Sequence, residues 1–356
     1  MRVRNSFLEL MRFVFCIVIF LHHSGFLVAG DEKYPFKAAG FFAVEFFFIL
    51  TGALSLKHAR EKINRDSDMK NGVMKYSMSY TISKLKRVFP YALTGIVLTY
   101  IWYFVQADYS NGIKDVVFGR WNIIYEILFL PMSGVMDVNL NSFLNSPLWY
   151  LSVLLLVLPL VMYIAIKFED VFDNYLCWIL PLVLHGLLIK LYGNIGNWGE
   201  YTGIAYSAVF RGFADLLLGC AAYLLGVALY KKLTKLSVIL TVAEIGMYLF
   251  AIYTFNTNVD GYTYEFAILI LTVAVGISLS GTTYTSRLSG KFFEHLGKLS
   301  LPMYCLHWPI YKFVSEFDAG WGYSAEVLLA LVMCICLSEC LIYTIERTQR
   351  RLKVTK

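Results

Sequence analysis

Apolar runs of about 20 residues, each long enough to cross the hydrocarbon of a bilayer, recur along most of the chain. They fall at approximately 8–28, 38–57, 88–106, 148–167, 175–192, 206–230, 237–255, 263–281, 298–317 and 325–345. Short polar stretches separate them, so the pattern predicts an all-α polytopic membrane protein with about ten transmembrane helices. A weaker run from Trp121 to Met132 contains Pro131 and predicts an interfacial helix. No internal repeat, low-complexity tract or soluble appendage interrupts the series. Residues 1–356 are therefore expected to form a single membrane-embedded domain.

Composition agrees with this class. The chain is 58% hydrophobic and only 16% charged, whereas soluble domains are about 25% charged. Its net charge of +6 raises the question of nucleic acid, and the distribution of basic residues answers it. Of 31 lysines and arginines, 23 fall in one set of alternate segments, nine of them between Lys57 and Arg87. The other set holds Lys33, Lys37, Lys114, Arg120 and Lys190, while Arg12, Arg211 and Lys312 lie within spans. The positive-inside rule then places both termini in the cytoplasm and makes the bilayer, not nucleic acid, the large partner. Arg2 and Arg4 ahead of an apolar run suggest a signal peptide, but Arg12 interrupts its core, so the segment is read as a retained first span. The seven cysteines lie in apolar runs with no metal-ligand spacing and are read as small buried hydrophobes.

Ionisable residues inside spans are functional-site hypotheses by default. Arg12 and His23 are eleven residues apart in the first span, which puts them on one helical stripe about 16 Å apart. Glu45 sits in the aromatic run of the second span. His23 and Glu45 lie roughly 8 and 10 Å from the same membrane face, at 1.5 Å per residue. Matching depth allows an imidazole–carboxylate pair that fixes the tautomer and basicity of His23, or a purely structural hydrogen bond. His22 points about 100° away from His23. His307, in the ninth span near mid-membrane, either contacts substrate or bonds across helices. Trp149 and Tyr150 begin the fourth span, where an interfacial belt is the default and acceptor stacking the alternative. Arg211 and Asp215, four apart, predict a neutralising pair, and Gly212, Gly219 and Gly226 predict close helix packing. His58, His185 and His295 are read as loop or boundary residues. A glycine-rich phosphate loop is missing, which argues against a nucleotide hydrolase.

Several motifs in order make the chain resemble acyltransferase family 3, bacterial integral-membrane O-acyltransferases. Arg12 and His23 match the family's arginine, ten residues, histidine signature. AVEFFFILTG (43–52), KLKRVFP (84–90), SPLWYLSV (146–153) and LGKLSLPMYCLHWPI (296–310) are similar to its later elements. The chain differs in carrying Glu45 where aspartate is frequent, Thr51 where serine is usual and Leu154 where many members have glutamate.

The resemblance implies acyl transfer, most often of acetyl, from a cytoplasmic coenzyme A thioester to a hydroxyl of a surface glycan or its lipid-linked precursor. It implies an acetyl-CoA co-substrate, no metal, a bacterial inner-membrane location and other polysaccharide-assembly proteins as partners. On that reading His23 and Glu45 are the catalytic residues. Arg12, Lys84 and Arg87 hold the donor phosphates, alongside Lys86, and His307, Tyr150 and Trp149 contact substrate. Two alternatives stay open: a transporter or flippase for a glycan precursor, and a non-catalytic scaffold of polysaccharide export.

Overall fold

The computed structural model describes residues 5–27, 40–65, 72–110, 113–114, 119, 122–135, 143–232, 236–257, 259–317 and 321–354. Arg2, Arg4, Lys33, Lys37, Lys70, Arg120, Trp121, Lys235 and Lys356, on which parts of the charge pattern and one helix boundary rest, lie outside the described residues. The same is true of the first span's end at 28 and the second span's start at 38.

The long helices are α1 (Ser6–His23), α2 (Ala43–Ile63), α3 (Val73–Gln106), α4 (Trp149–Lys167), α5 (Glu169–Tyr192), α6 (Ser207–Lys232), α7 (Ser237–Phe255), α8 (Gly261–Ser280), α9 (Lys291–Val314) and α10 (Tyr323–Val354). Among the described residues all of these except α9 are long and apolar enough to cross a membrane. No strand accompanies them among those residues, only an isolated bridge between Tyr201 and Tyr206. α9 opens on Lys291, Glu294, His295 and Lys298, which lowers its apolarity. It needs less, because other helices, not lipid, cover most side chains from Leu299 to Tyr311.

Local sequence explains several helix ends. Asn5 caps α1 by accepting from the backbone N–H groups of Phe7 and Leu8, and Asp260 caps α8 through Tyr262 and Thr263. α5 and α8 end on Gly193 and Gly281 in the left-handed region.

α3 departs most from expectation. Residues 58–63 and 73–86, which the span pattern leaves between two helices, are themselves helical: α2 continues to Ile63, and α3 begins at Val73 and runs for 34 residues. At 1.5 Å per residue that is about 50 Å, more than a bilayer's apolar thickness, so its basic N-terminal half continues beyond the hydrocarbon. Lys84, Lys86 and Arg87 thus stand on a rigid helix. The stretch predicted as an interfacial helix is broken. A single short helix, Ile123–Ile127, is followed by Phe129 at positive φ and a 3-10 turn at Pro131–Ser133.

Two helices act as hubs. α6 packs against α2, α4, α5 and α8, while α9 packs against α1, α3 and α10. The α2–α6 crossing is close enough that a Cβ on Gly52 would strike the Leu216 carbonyl, and one on Gly219 the Ile49 carbonyl. Gly212 faces Val153 and Phe48, and Gly226 the Gly276 backbone, so all three glycines of the seven-residue series serve packing. Five cysteines are buried as expected, whereas Cys336 and Cys340 are exposed on α10.

A buried ionic network ties the α6 side together, with different pairs from those expected. The Arg211 Nε donates to Glu45 on α2, and its Nη2 donates to the Phe41 carbonyl at 3.0 Å. Trp149, Phe42 and Phe41 surround the guanidinium with ring centroids at 5.2, 5.5 and 5.9 Å. One turn on, Asp215 lies 3.4 Å from His185 Nε2 on α5, and His185 Nδ1 lies 2.7 Å from Glu265 on α8. Arg211 is therefore bonded across helices, not to Asp215 along its own. His185 is a fully buried residue inside α5, not a boundary residue, and His58 and His295 likewise lie within α2 and α9.

Two outcomes follow for stability in detergent. Gly→Ala within a helix ordinarily gains about 1 kcal/mol, but Gly219→Ala should lower the melting temperature because its methyl meets a backbone carbonyl. Gly186→Ala, with nothing within 4 Å, should not. Arg211→Met strands a buried carboxylate and should cost about 3–5 kcal/mol, and Glu45→Leu in the same chain should recover part of that loss.

Candidate active site

Why α1 and α9 meet as they do is visible in their backbone contacts. Cys16 Sγ donates to the Ser300 carbonyl at 3.2 Å and Tyr311 Oη to the Phe20 carbonyl at 2.9 Å. These contacts align the α1 stripe that carries Arg12 and His23 with the face of α9 that carries Tyr304 and His307.

At one end of this interface two imidazoles meet. His307 Nε2 lies 3.2 Å from His23 Nδ1, with ring centroids 4.9 Å apart. His307 Nδ1 is 2.7 Å from the Tyr304 carbonyl, and His23 Nδ1 is 3.0 Å from the Ile19 carbonyl. Each Nδ1 beside a carbonyl oxygen must carry the hydrogen, since an acceptor cannot bond an acceptor. The Nε2 of His307 therefore presents its lone pair to the Nδ1–H of His23. Nε2 of His23 is then the unprotonated nitrogen, and among the described residues no protein group bonds it. His23 is thus oriented by a neutral partner. Trp308 closes one side edge-on, with its centroid 5.5 Å from that of His23, and its Nε1 donates to the Leu144 carbonyl at 2.9 Å.

This arrangement replaces the pairing expected from depth alone. Phe46, next to Glu45, stacks on Phe15, eight residues before His23, and α2 packs against α6 and gives the Glu45 carboxylate to Arg211. The His23 imidazole turns instead to α9. His307 sits beyond mid-helix, toward the His23 end, because α9 begins at Lys291 and not near 298.

At the other end Arg12 Nη1 bonds Glu9 Oε2 at 3.1 Å. Gly297 on α9 makes room for Glu9, whose carboxylate occupies the space a Cβ there would take. Lys84 lies within electrostatic range of both Arg12 and Arg87, and its Nζ is 5.1 Å from the Tyr80 ring. The structure thus gathers the three predicted donor-binding cations on α1 and α3, with Arg87 and Lys86 exposed and Lys84 half-buried.

Tyr150 and Trp149 are buried among other helices, not on the outer surface of the bundle. Tyr150 lies within electrostatic range of Arg12, its hydroxyl is 3.4 Å from Thr51 Oγ1, and its ring is 6.0 Å from that of Tyr304. It stands between the Arg12 and His23 ends. Trp149 belongs to the Arg211 network and stacks on Trp198 at 6.0 Å.

Sequence reasoning missed Glu9, Tyr311 and Asn145. For Asn145 a signal existed: Pro309 has no N–H, which frees the carbonyl four residues earlier, and Asn145 Nδ2 donates to that Cys305 carbonyl at 3.0 Å. Glu126 in turn holds the loop, accepting from the backbone N–H groups of Leu144 and Asn145.

Among the described residues no group of three or more His, Cys, Asp or Glu side chains is arranged to hold a metal ion. Basic residues at one end, an oriented imidazole at the other and a helical membrane bundle between them form the setting for group transfer. The acyltransferase family 3 model, described as an acyltransferase domain, matches residues 5–343, nearly the whole chain. No curated protein and no solved structure gives a significant match. The chain accordingly belongs to acyltransferase family 3 and is a multi-pass membrane acyltransferase.

Proposed function

We propose that the protein is a bacterial inner-membrane O-acetyltransferase. It would move acetyl from acetyl-CoA to a hydroxyl of a cell-surface glycan or its lipid-linked precursor, alongside other polysaccharide-assembly proteins. The observation that carries this reading is the His23–His307 pair, which leaves one imidazole nitrogen as a fixed base.

In the transfer, His23 Nε2 takes the proton of the acceptor hydroxyl as its oxygen attacks the thioester carbonyl carbon. The tetrahedral intermediate collapses with cleavage of the C–S bond, and the imidazolium returns the proton to the departing thiolate. While His23 is charged, His307 Nε2 accepts its Nδ1–H and spreads the charge. His307 is thus a positioning residue that uses no permanent ion in hydrocarbon. Arg12, Lys84 and Arg87 would hold the donor's phosphates. The basic residues concentrate at this end, which the positive-inside rule assigns to the cytoplasm. Glu45 and Trp149 serve the Arg211 network on this reading, and Tyr150 lines the route between the two ends.

His23→Ala should lower transfer by about 10²–10⁴-fold, measured as base-labile O-acetyl by proton NMR of surface polysaccharide from complemented cells. Unchanged acetylation at equal expression would refute the assignment. His307→Ala should reduce kcat while leaving KM for acetyl-CoA near its wild-type value, and His307→Asn, which keeps an acceptor, should restore part of it. Arg12→Ala should show the opposite split, with KM for acetyl-CoA raised about tenfold or more, the worth of a charged hydrogen bond.

A further inference from the structure

One group of ionisable side chains inside the bundle takes no part in the transfer chemistry, and its charges do not cancel. Arg211 on α6 faces Glu45 on α2. One turn on, His185 on α5 stands between two further carboxylates: its Nε2 is 3.4 Å from Asp215 on α6, and its Nδ1 is 2.7 Å from Glu265 on α8. Asp215 also lies within electrostatic range of Glu45, and the Tyr150 phenol on α4 within range of both. Of these five ionic side chains Glu265 alone reaches the surface, with 14% exposed, and the other four are fully buried. It lies in the second turn of α8, at the end of the bundle where a Cβ on Gly261 would strike the Gly193 carbonyl and where Phe41 joins Arg211 to the His22 ring.

Charge and geometry both point to bound protons. Three carboxylates face one permanent cation, Arg211, and protonation of His185 still leaves one negative charge without a partner. Tyr150 offers no compensation, because a phenol is neutral or negative. A carboxylate held away from water takes up a proton instead of standing as an uncompensated ion. Geometry makes the same demand. Each nitrogen of His185 faces a carboxylate, but a neutral imidazole carries hydrogen on one nitrogen only. The other would meet a carboxylate lone pair with its own. Both nitrogens of His185 and all four oxygens of Asp215 and Glu265 are buried without a hydrogen bond, so the triad offers polar atoms to which hydrogens can be added.

We infer that Asp215, His185 and Glu265 form an intramembrane proton site that holds two protons at neutral pH, one making His185 an imidazolium and the other on one of the two carboxyl groups. Glu265 is where they exchange with water. With both in place the network is neutral: Arg211 balances Glu45, and His185 balances the carboxylate that stays ionised. The sign of the pH dependence is then fixed. When the helices come apart, the carboxyls return to about 4 and the imidazole to about 6.5. Above about pH 6.5 the folded protein therefore holds two protons that the unfolded chain does not, and just below it holds one. The stability that the site contributes is greatest in acid and falls as pH rises. Its share of the folded-to-unfolded ratio drops about 100-fold per pH unit while two extra protons are held and about tenfold while one is.

The test uses the full chain in nanodiscs of zwitterionic lipid, read by infrared difference spectroscopy and by melting temperature. At about pH 7 the wild type should show the carbonyl stretch of a protonated carboxyl group, shifted in heavy water, that both Asp215→Asn and Glu265→Gln lack. Either substitution removes one negative charge, so the carboxyl that remains ionises against His185. His185→Gln should strengthen the band, because two carboxyls must then be neutral. The wild-type melting temperature should fall between about pH 6.5 and about pH 8.5. The double variant Asp215→Asn, Glu265→Gln, whose network needs no bound proton, should fall less steeply. Difference spectra without that band, or a slope that the double variant leaves unchanged, overturn the site. If the substituted chains do not fold, the wild type alone decides: a melting temperature that does not fall over this range overturns the proposal, and a fall accompanied by loss of the carboxyl band upholds it.

Discussion

A charge or polar group carried into hydrocarbon must find its partner within the protein, because lipid offers none. That constraint separates the two polar centres of this bundle. Around Arg211, ionic groups on α2, α5, α6 and α8 are enclosed and held by partners on neighbouring helices. Such a network fixes which helices lie side by side. Around His23 the groups are neutral imidazoles, and one ring nitrogen is left without a protein bond. The first centre is enclosed yet leaves Glu45 Oε2, Arg211 Nη1 and the Asp215 oxygens without a hydrogen bond, and the second leaves His23 Nε2 without one.

The choice of a histidine, not a carboxylate, beside His23 has a physical reading. A buried ion pair gives back in Coulomb attraction what desolvation removes only when its geometry is very good. The Glu45–Arg211 pair meets part of that demand with the Phe41 carbonyl and three rings around it, while Glu45 Oε2 and Arg211 Nη1 are buried without a hydrogen bond. A second carboxylate next to His23 would need a cation of its own for as long as the enzyme rests. His307 asks for none, and it accepts the hydrogen bond that orients His23 in either protonation state. Its own Nδ1 is occupied by the Tyr304 carbonyl, so the direction of the bond between the rings is fixed by the α9 backbone.

Much of this was legible in the sequence. Ten helices, the common stripe of Arg12 and His23, and the packing role of the Gly212, Gly219 and Gly226 series follow from periodicity and spacing, which are properties of one chain segment at a time. Partners were not legible in the same way. Counting from the span ends paired His23 with Glu45, but such a count says nothing of which spans touch or in what register: Phe46 stacks on Phe15, well before His23, and α1 gives its His23 face to α9. The α3 boundary was misplaced because hydropathy registers only the lipid-facing half of a helix whose first turns are basic. The weak apolarity of α9, together with Pro302 and Pro309, was the overlooked signal. A span with polar side chains along its length and carbonyls freed by proline belongs inside the protein, where residues such as Asn145 can satisfy it.

The α1–α9 interface also bears on how two substrates on opposite sides of a membrane could meet. Arg12 and His23 occupy one uninterrupted helix, so the distance between them is set by eleven residues of helical rise, about 16 Å. Coenzyme A ends in a flexible pantetheine arm of comparable reach, with its phosphates at one end and its thioester at the other. On the proposed reading, cations at the Arg12 end anchor the phosphates while the arm passes Tyr150 and Tyr304 and delivers only the small acetyl group to His23. Neither a sugar nor a nucleotide then has to cross hydrocarbon. What crosses is an uncharged chain, the one part of either substrate that the interior can hold without a new ionic partner.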